Sequence, residues 1–182
     1  MKRNLIEPVL GFCLLGIVIL AVKYGSIHVT GSTDAYIKEM PVVVIDAGHG
    51  GTDPGKVGVD GSLEKDINLA VAKRLKTYLE QDDIRVIMTR ETDTGLYSDT
   101  DSRKKMADMK KRCEIIEESG ADLVVSIHQN SYPEEAIHGA QVFYYEDSVE
   151  GKKLAEILQR HLVEGLDKTN HRQAKGNKTY YM

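Results

Sequence analysis

The chain has 182 residues, of which 41% are hydrophobic and 29% are charged, and its formal net charge is −4. This composition excludes a wholly disordered chain, a collagen-like fibre and a polytopic membrane protein, and two cysteines are too few for a disulfide framework. Residues 1–23 carry three basic residues and one acidic residue, so the remainder has a net charge of −6. We therefore expect no nucleic-acid partner, because phosphates attract clustered lysine and arginine.

Residues 1–23 have the pattern of a membrane-targeting segment. Lys2 and Arg3 precede the uncharged apolar run 9–22, an order typical of a secretory signal. As a helix this run would span about 21 Å, short of the ~30 Å hydrocarbon core, so it fits either a cleaved signal peptide or an uncleaved signal anchor. We favour the anchor, since the best small-residue cleavage pattern, at residues 29–31, lies far from the run. In both cases the protein is extracytoplasmic, and residues 24–40, which lack periodicity, form a spacer.

From Pro41 onward, the hydrophobic pattern predicts strands and helices in the order β-α-β-α-β-β-α. The strands are expected at 42–45, 84–89, 121–127 and 140–145, and the helices at 63–80, at 106–116 with an end at Gly120, and at 154–162. Ser62 is expected to cap the first helix. The largely apolar stripe of this helix is expected to consist of Ile67, Ala70, Val71, Arg74, Leu75, Tyr78 and Leu79. Such alternation predicts one α/β domain, an open and largely parallel sheet flanked by helices, preceded by the N-terminal apolar helix.

Three residues near the predicted strand ends can hold a metal. His49 follows the first strand and His128 follows the third, and ligand sites of α/β folds lie in such loops. Glu64, in the first turn of the first helix, can supply an oxygen to the same edge of the sheet. Two imidazoles and one carboxylate are the ligands of many catalytic zinc sites, which leave a fourth position to water. The alternative from spacing alone is that both histidines are solvated loop residues.

Two further polar residues, Asp46 and Asn130, stand close to these histidines in sequence. They are candidates for orienting the imidazoles through hydrogen bonds from behind the ligands, and a turn-forming or capping role is the alternative. The cysteines are Cys13, in the apolar run, and Cys113, on a helical pattern, so a metal site here is not built on thiolates.

Four short motifs follow one another from Pro41 onward. They are residues 42–51 with 53–55, residues 64–69, residues 89–90 and residues 121–130. In this order they resemble the motifs of the zinc-dependent N-acetylmuramoyl-L-alanine amidases, the catalytic domain of many bacterial cell-wall hydrolases. The resemblance covers residues 41–182, and residues 172–182 are most similar to the subgroup that acts on the spore cortex of endospore formers.

The resemblance implies that His49, Glu64 and His128 bind one Zn²⁺. It implies peptidoglycan as the substrate, and hydrolysis of the amide between N-acetylmuramic acid and the L-alanine that starts the stem peptide. In the spore-cortex subgroup, this step prepares muramic acid for conversion to its lactam. The implied location is the cell envelope or forespore, with the membrane contacted through the N-terminal segment and an activator protein as a candidate partner.

One expected motif is missing from the sequence. The family carries a glutamate on a final strand, in a Val-Glu-x-Gly-Phe-like motif, which acts as general base or acid, and no such motif occurs here. We therefore expect the catalytic domain to be incomplete at its C-terminus, without its last strand, and leave the catalytic base unknown. Glu134 and Glu135 are the acids nearest in sequence to His128, and the simpler interpretation places them in a solvated loop.

The sequence is also compatible with two other functions. The missing glutamate favours a non-catalytic, zinc-dependent module that binds peptidoglycan or regulates its turnover. A zinc peptidase with the same ligand set would instead cleave between two amino acids.

Overall fold

The structure is a computed structural model that describes residues 40–132, 134 and 137–179. The targeting segment predicted at residues 1–23 and the spacer up to residue 39 lie outside the described residues. Within the described ranges, no helix combines the length and the apolar character needed to cross a bilayer.

The described residues form five strands and three helices, and the predicted order is confirmed up to the third helix. In chain order they are β1 Val42–Ala47, α1 Glu64–Gln81, β2 Arg85–Met88, α2 Lys104–Ser119, β3 Leu123–Ile127, β4 Phe143–Tyr145, α3 Val149–Leu166 and β5 Lys175–Asn177. The sequence analysis missed β5, a strand of three residues containing Gly176 that has no apolar alternation.

Three parallel strands form the main sheet in the order β2-β1-β3. The central strand β1 begins with the apolar run 42–45 because it is covered on both faces, and its Val43, Ile45 and Ala47 form the core together with Ala72 of α1. Ala47 lies in register with Ile127, and the Gly48 N–H donates to the Ile127 carbonyl at 3.1 Å. The loops after β1 and β3 therefore leave the sheet side by side.

The predicted strand at 140–145 is shorter than expected and does not join the main sheet. β4 pairs in parallel with β5 in a separate two-stranded sheet. Side chains bind the backbone that precedes β4: Gln159 of α3 donates to the Ala140 carbonyl and accepts from the Val142 N–H, and Asn170 also donates to Ala140. These side chains pair the Ala140 carbonyl and the Val142 N–H, while the Val142 carbonyl accepts from the Lys175 N–H of β5 at 3.0 Å.

Helix α1 differs from its prediction in two respects. Its N-cap is Leu63, and no side chain caps the helix. Ser62 instead forms hydrogen bonds with Gly58 and Asp60 in the preceding turn. The prediction that Ser62 caps the helix is therefore wrong. The predicted stripe is also confirmed only in part: its Leu75 and Leu79 pack against the core, whereas Ile67, Val71 and Tyr78 are exposed. The helix instead buries Glu64, Asn68 and Ala72, with Leu69, Leu75 and Leu79 packed beside them. The functional side chains thus lie on the buried face.

Candidate metal centre

His49 stands immediately beyond β1 in a tight glycine-rich turn. The Gly50 and Asp53 backbones exchange two hydrogen bonds, of 3.0 and 3.1 Å, and His49 adopts a left-handed φ of 63°, which is uncommon for a residue with a side chain. The turn returns the Asp53 carboxylate to the ring, where Oδ2 lies 3.0 Å from Nδ1 of His49. A proton on Nδ1 donated to Asp53 leaves the lone pair on Nε2, the nitrogen that faces Glu64 at 3.2 Å.

Glu64 opens α1 and is only 4% exposed. Its Oε2 accepts from the Lys56 N–H at 2.8 Å, and its Oε1 accepts from the Gln129 N–H at 3.0 Å. Burial alone would raise the pKa of this carboxyl group, but the two backbone donors, the hydrogen bond with His128 and the electrostatic interaction with His49 outweigh burial and lower it. Glu64 is therefore an anion at neutral pH.

His128 follows β3 and faces the other two residues. Its Nδ1 lies 3.0 Å from Oε1 of Glu64, and its ring meets the His49 ring edge-on, with centroids 4.9 Å apart. Gly48 allows this approach, since a Cβ at that position would overlap the His128 imidazole. At 47% exposure, the His128 side chain leaves one side of the cluster open to solvent.

The three predicted ligands therefore converge. One ligand atom from each of His49, Glu64 and His128 lies within 4.8 Å of the others, and this is the cluster of potential metal ligands found among the described residues. Tetrahedral zinc with bonds of 2.0–2.1 Å separates its ligand atoms by about 3.3 Å, close to the 3.0 and 3.2 Å seen from Glu64 to the two imidazoles. The donor set, these two distances and the open side fit Zn²⁺.

A buried polar network lies beneath this cluster and supports the loop that carries His49. Arg112 of α2 is 1% exposed and donates to Asp46 at 2.5 Å, to the Ala47 carbonyl at 2.9 Å and to the His49 carbonyl at 2.7 Å. Arg90, also buried, donates to the carbonyls of Ala47, Gly48, Thr92 and Lys65. Two guanidinium groups thus bind three successive carbonyls at the end of β1.

Asp46 is the anion of this network. Burial alone would raise its pKa, but the positive charge of Arg112 and hydrogen bonds from Thr89, Ser126 and Arg112 more than offset burial, so the pKa lies below its ordinary value. The same pairing, with Asp108 as the second acid, raises the pKa of Arg112 although burial opposes it. Both groups are charged in the folded protein.

The two residues predicted to orient the imidazoles have different surroundings. Asp46 reaches the His49 segment through Arg112, which binds both Asp46 and the His49 carbonyl. Asn130 is exposed, and its Oδ1 accepts from the Ser131 N–H, a contact within its own loop. Glu134 is also exposed, and its carbonyl accepts from the Ile137 N–H. Glu135 lies outside the described residues.

Sequence reasoning missed several residues at the centre, among them Asp53, Asn68, Gln129 and Arg112. Asn68 carried a usable signal: it follows Glu64 by one helical turn, and an amide on the face that turns toward the sheet needs polar partners. Arg112 carried none, because it stands 66 residues from its partner Asp46 in the sequence.

We expect Asp53→Asn to raise the dissociation constant for zinc by about 10-fold or more, because loss of a carboxylate behind a ligating histidine costs roughly 10–100-fold in metal affinity. Chelator competition with the purified protein measures this constant. Asp60→Asn is the matched control, since Asp60 is a loop aspartate that also accepts a backbone hydrogen bond but does so from Ser62. An equal loss of affinity in both variants would contradict the orienting role of Asp53.

Comparison with known proteins identifies the family. The family model described as N-acetylmuramoyl-L-alanine amidase matches residues 43–182. The germination-specific N-acetylmuramoyl-L-alanine amidase of Bacillus subtilis is 40% identical over 144 residues, which cover 78% of this chain and 60% of that protein. The amidase AmiA of Escherichia coli is 35% identical over 117 residues, 64% of this chain and 37% of AmiA.

A solved structure supports the same assignment. The CwlD amidase from Clostridioides difficile, determined in complex with the GerS lipoprotein, is 40% identical, with a TM-score of 0.74 over 78% of this chain and 74% of that one. The chain spans 60% or less of the two curated relatives named above. It belongs to the N-acetylmuramoyl-L-alanine amidase family.

Proposed function

We propose that this protein is a zinc-dependent N-acetylmuramoyl-L-alanine amidase that hydrolyses the amide between N-acetylmuramic acid and L-alanine in peptidoglycan. The observation that carries the proposal is the convergence of His49, Glu64 and His128 within 4.8 Å at the open end of the sheet. Membership of the amidase family supports the reaction. In this hydrolysis the lactyl carbonyl carbon gains a hydroxyl group, its bond to nitrogen breaks, and the alanine nitrogen gains a proton.

The residues of the metal centre are held in a fixed orientation in the absence of substrate. Asp53 holds His49 with Nε2 facing Glu64, and the two backbone N–H donors hold the Glu64 carboxylate as an anion between the imidazoles. Zinc, when bound, would supply Lewis acidity that polarises the scissile carbonyl and makes water a nucleophile near neutral pH. The half-exposed side chain of His128 leaves substrate a path to this point.

We extend the proposal to the spore cortex, where removal of the stem peptide prepares muramic acid for lactam formation. The support is the 40% identity with an amidase named germination-specific. On this proposal the protein acts outside the cytoplasm, in the envelope or forespore, held or exported by residues 1–23. A partner protein is part of the proposal, since the C. difficile relative was determined in complex with a lipoprotein.

The proposal is tested with purified protein and defined muropeptides, with protein in excess so that slow turnover is detected. We expect zinc-dependent release of stem peptides with a free N-terminal L-alanine, seen by mass spectrometry, that EDTA abolishes and added zinc restores. The same assay is run with a candidate lipoprotein partner, which is expected to increase the rate or the zinc affinity. Glu64→Gln is the inactive control.

A second candidate is a zinc-dependent module that binds peptidoglycan without cleaving it. One observation favours it: the carboxylates that the structure places at the centre, Glu64 and Asp53, are both engaged with imidazoles and backbone donors, and proton transfer needs a carboxyl group or other base free to act. Stoichiometric zinc with sedimentation on peptidoglycan but intact muropeptides would support this module and contradict the amidase. Cleavage between two amino acids would instead indicate a zinc peptidase.

A further inference from the structure

Asn68 contacts all three segments that carry the proposed zinc ligands. It lies on α1 one turn after Glu64 and is fully buried. Its Nδ2 donates to the Gly48 carbonyl at 3.2 Å and lies 3.4 Å from Oε1 of Glu64, and its Oδ1 accepts from Nε2 of Gln129 at 3.1 Å. One amide thus joins the loop after β1, the start of α1 and the loop after β3.

Each of these contacts is made at a ligand or at its neighbour in sequence. Gly48 immediately precedes His49, and Gln129 immediately follows His128 and donates its own N–H to Glu64. Because the Gly48 backbone also packs against the His128 ring, movement of this peptide would affect both imidazoles. Asn68 is therefore placed to control the distances among the three ligand atoms.

Core packing alone does not account for an amide at this position. The next residue on the same face of α1 is Ala72, and Leu75 packs nearby against the same core. A buried amide is destabilising unless its donors and acceptor are paired, and a leucine would fill a similar space without that requirement. The hydrogen bonds that pair this amide all go to the ligand-bearing segments, so they act on the centre rather than on the core.

We propose that Asn68 is a positioning residue of the metal centre, whose amide sets the spacing and orientation of His49, Glu64 and His128 for zinc. This inference rests on the proposed zinc centre. With the Lys56 N–H on Oε2 and Nδ2 of Asn68 beside Oε1, both oxygens of Glu64 are oriented before metal binds. An apolar residue at position 68 would release the carboxylate and the Gly48 carbonyl together.

The test compares the full chain with Asn68→Leu and Asn68→Ala. Zinc affinity is measured by chelator competition, and Co²⁺ is substituted so that its visible absorption reports the coordination geometry. We expect both variants to raise the dissociation constant for zinc by about 10–100-fold, the usual effect of removing a residue that orients a ligand, and to change the Co²⁺ spectrum. Leu75→Ala is the matched control, because it removes core packing from α1 at a residue that packs on the core cluster. It is expected to lower stability without changing the spectrum.

Gln129→Met keeps the inference testable if the Asn68 variants do not fold. It removes the Nε2 donor to Asn68 but retains the backbone N–H that binds Glu64. The expected loss of zinc affinity is about fivefold, as for one hydrogen bond. Wild-type zinc affinity and an unchanged Co²⁺ spectrum in folded variants would overturn the role of Asn68 and leave the proposed function intact. Failure of the wild-type protein to bind zinc would instead reject the proposed function, and this inference with it.

Discussion

Replacing Glu64 with glutamine is expected to weaken zinc binding by more than about 100-fold. Loss of a residue that only orients a ligand costs up to about that factor, and this substitution removes the one anionic ligand of the cluster. Its carboxylate also accepts the Lys56 and Gln129 N–H groups, and the amide of glutamine can accept with only one of its two positions. The substitution therefore weakens metal binding and removes one of the two hydrogen bonds that the backbone donates to this side chain.

Chelator competition measures this loss, and zinc-dependent thermal stabilisation checks it independently. Ligand that binds only the folded state stabilises it in proportion to the logarithm of its concentration over the dissociation constant, so the variant should lose most of the zinc-induced rise in melting temperature. Glu80→Gln is the control, since Glu80 lies on the same helix and is half-exposed, with its carboxylate 4.0 Å from Lys76. Wild-type zinc affinity in Glu64→Gln would show that the metal centre is assigned to the wrong residues.

The sequence was sufficient to predict that His49, Glu64 and His128 lie close together, and the reason is topological. His49 and His128 each follow a strand of a parallel sheet, and parallel strands end at the same edge. Once β1 pairs with β3, the two histidines lie next to each other, and no other contact is needed to predict this. Glu64 could be added because a helix that follows a strand returns along the sheet and begins near the same edge.

The rest of the site depends on details that periodicity does not contain. The apolar stripe expected on α1 is confirmed only in part, because Glu64, Asn68 and Ala72 turn toward the sheet and two of these three are polar. A pattern that counts only apolar residues therefore finds Leu75 and Leu79, which pack on the core, but also selects Ile67 and Val71, which are exposed. Similarly, the strand expected at 140–145 is shortened by side chains that arrive from α3 and beyond, which local sequence does not reveal.

Replacing Arg112 with methionine is expected to destabilise the fold by about 3–5 kcal/mol, because removal of one partner leaves the charge of Asp46 buried without compensation. The guanidinium group also binds the carbonyls of Ala47 and His49, so the variant loses support for the loop that carries His49. Urea denaturation at pH 7 measures the change in the free energy of unfolding. Lys111→Met is the control: Lys111 is half-exposed and pairs with Glu114 at 3.0 Å, and exposed ion pairs of this kind contribute little to stability.

The pH dependence of this difference distinguishes an uncompensated charge from lost packing. In the wild-type protein the folded-state pKa of Asp46 is lowered, so its contribution is complete above the unfolded-state value of about 3.9 and is lost as pH falls through the folded-state pKa. Without Arg112, only the hydrogen bonds from Thr89 and Ser126 oppose burial, so we expect the pKa of Asp46 to rise, and protonation of Asp46 then reduces the destabilisation of the variant as the pH falls. The gap in unfolding free energy between the two proteins should therefore narrow steadily from pH 7 toward pH 4. A gap that stays constant over this range would assign the effect to packing and remove Asp46 from the explanation.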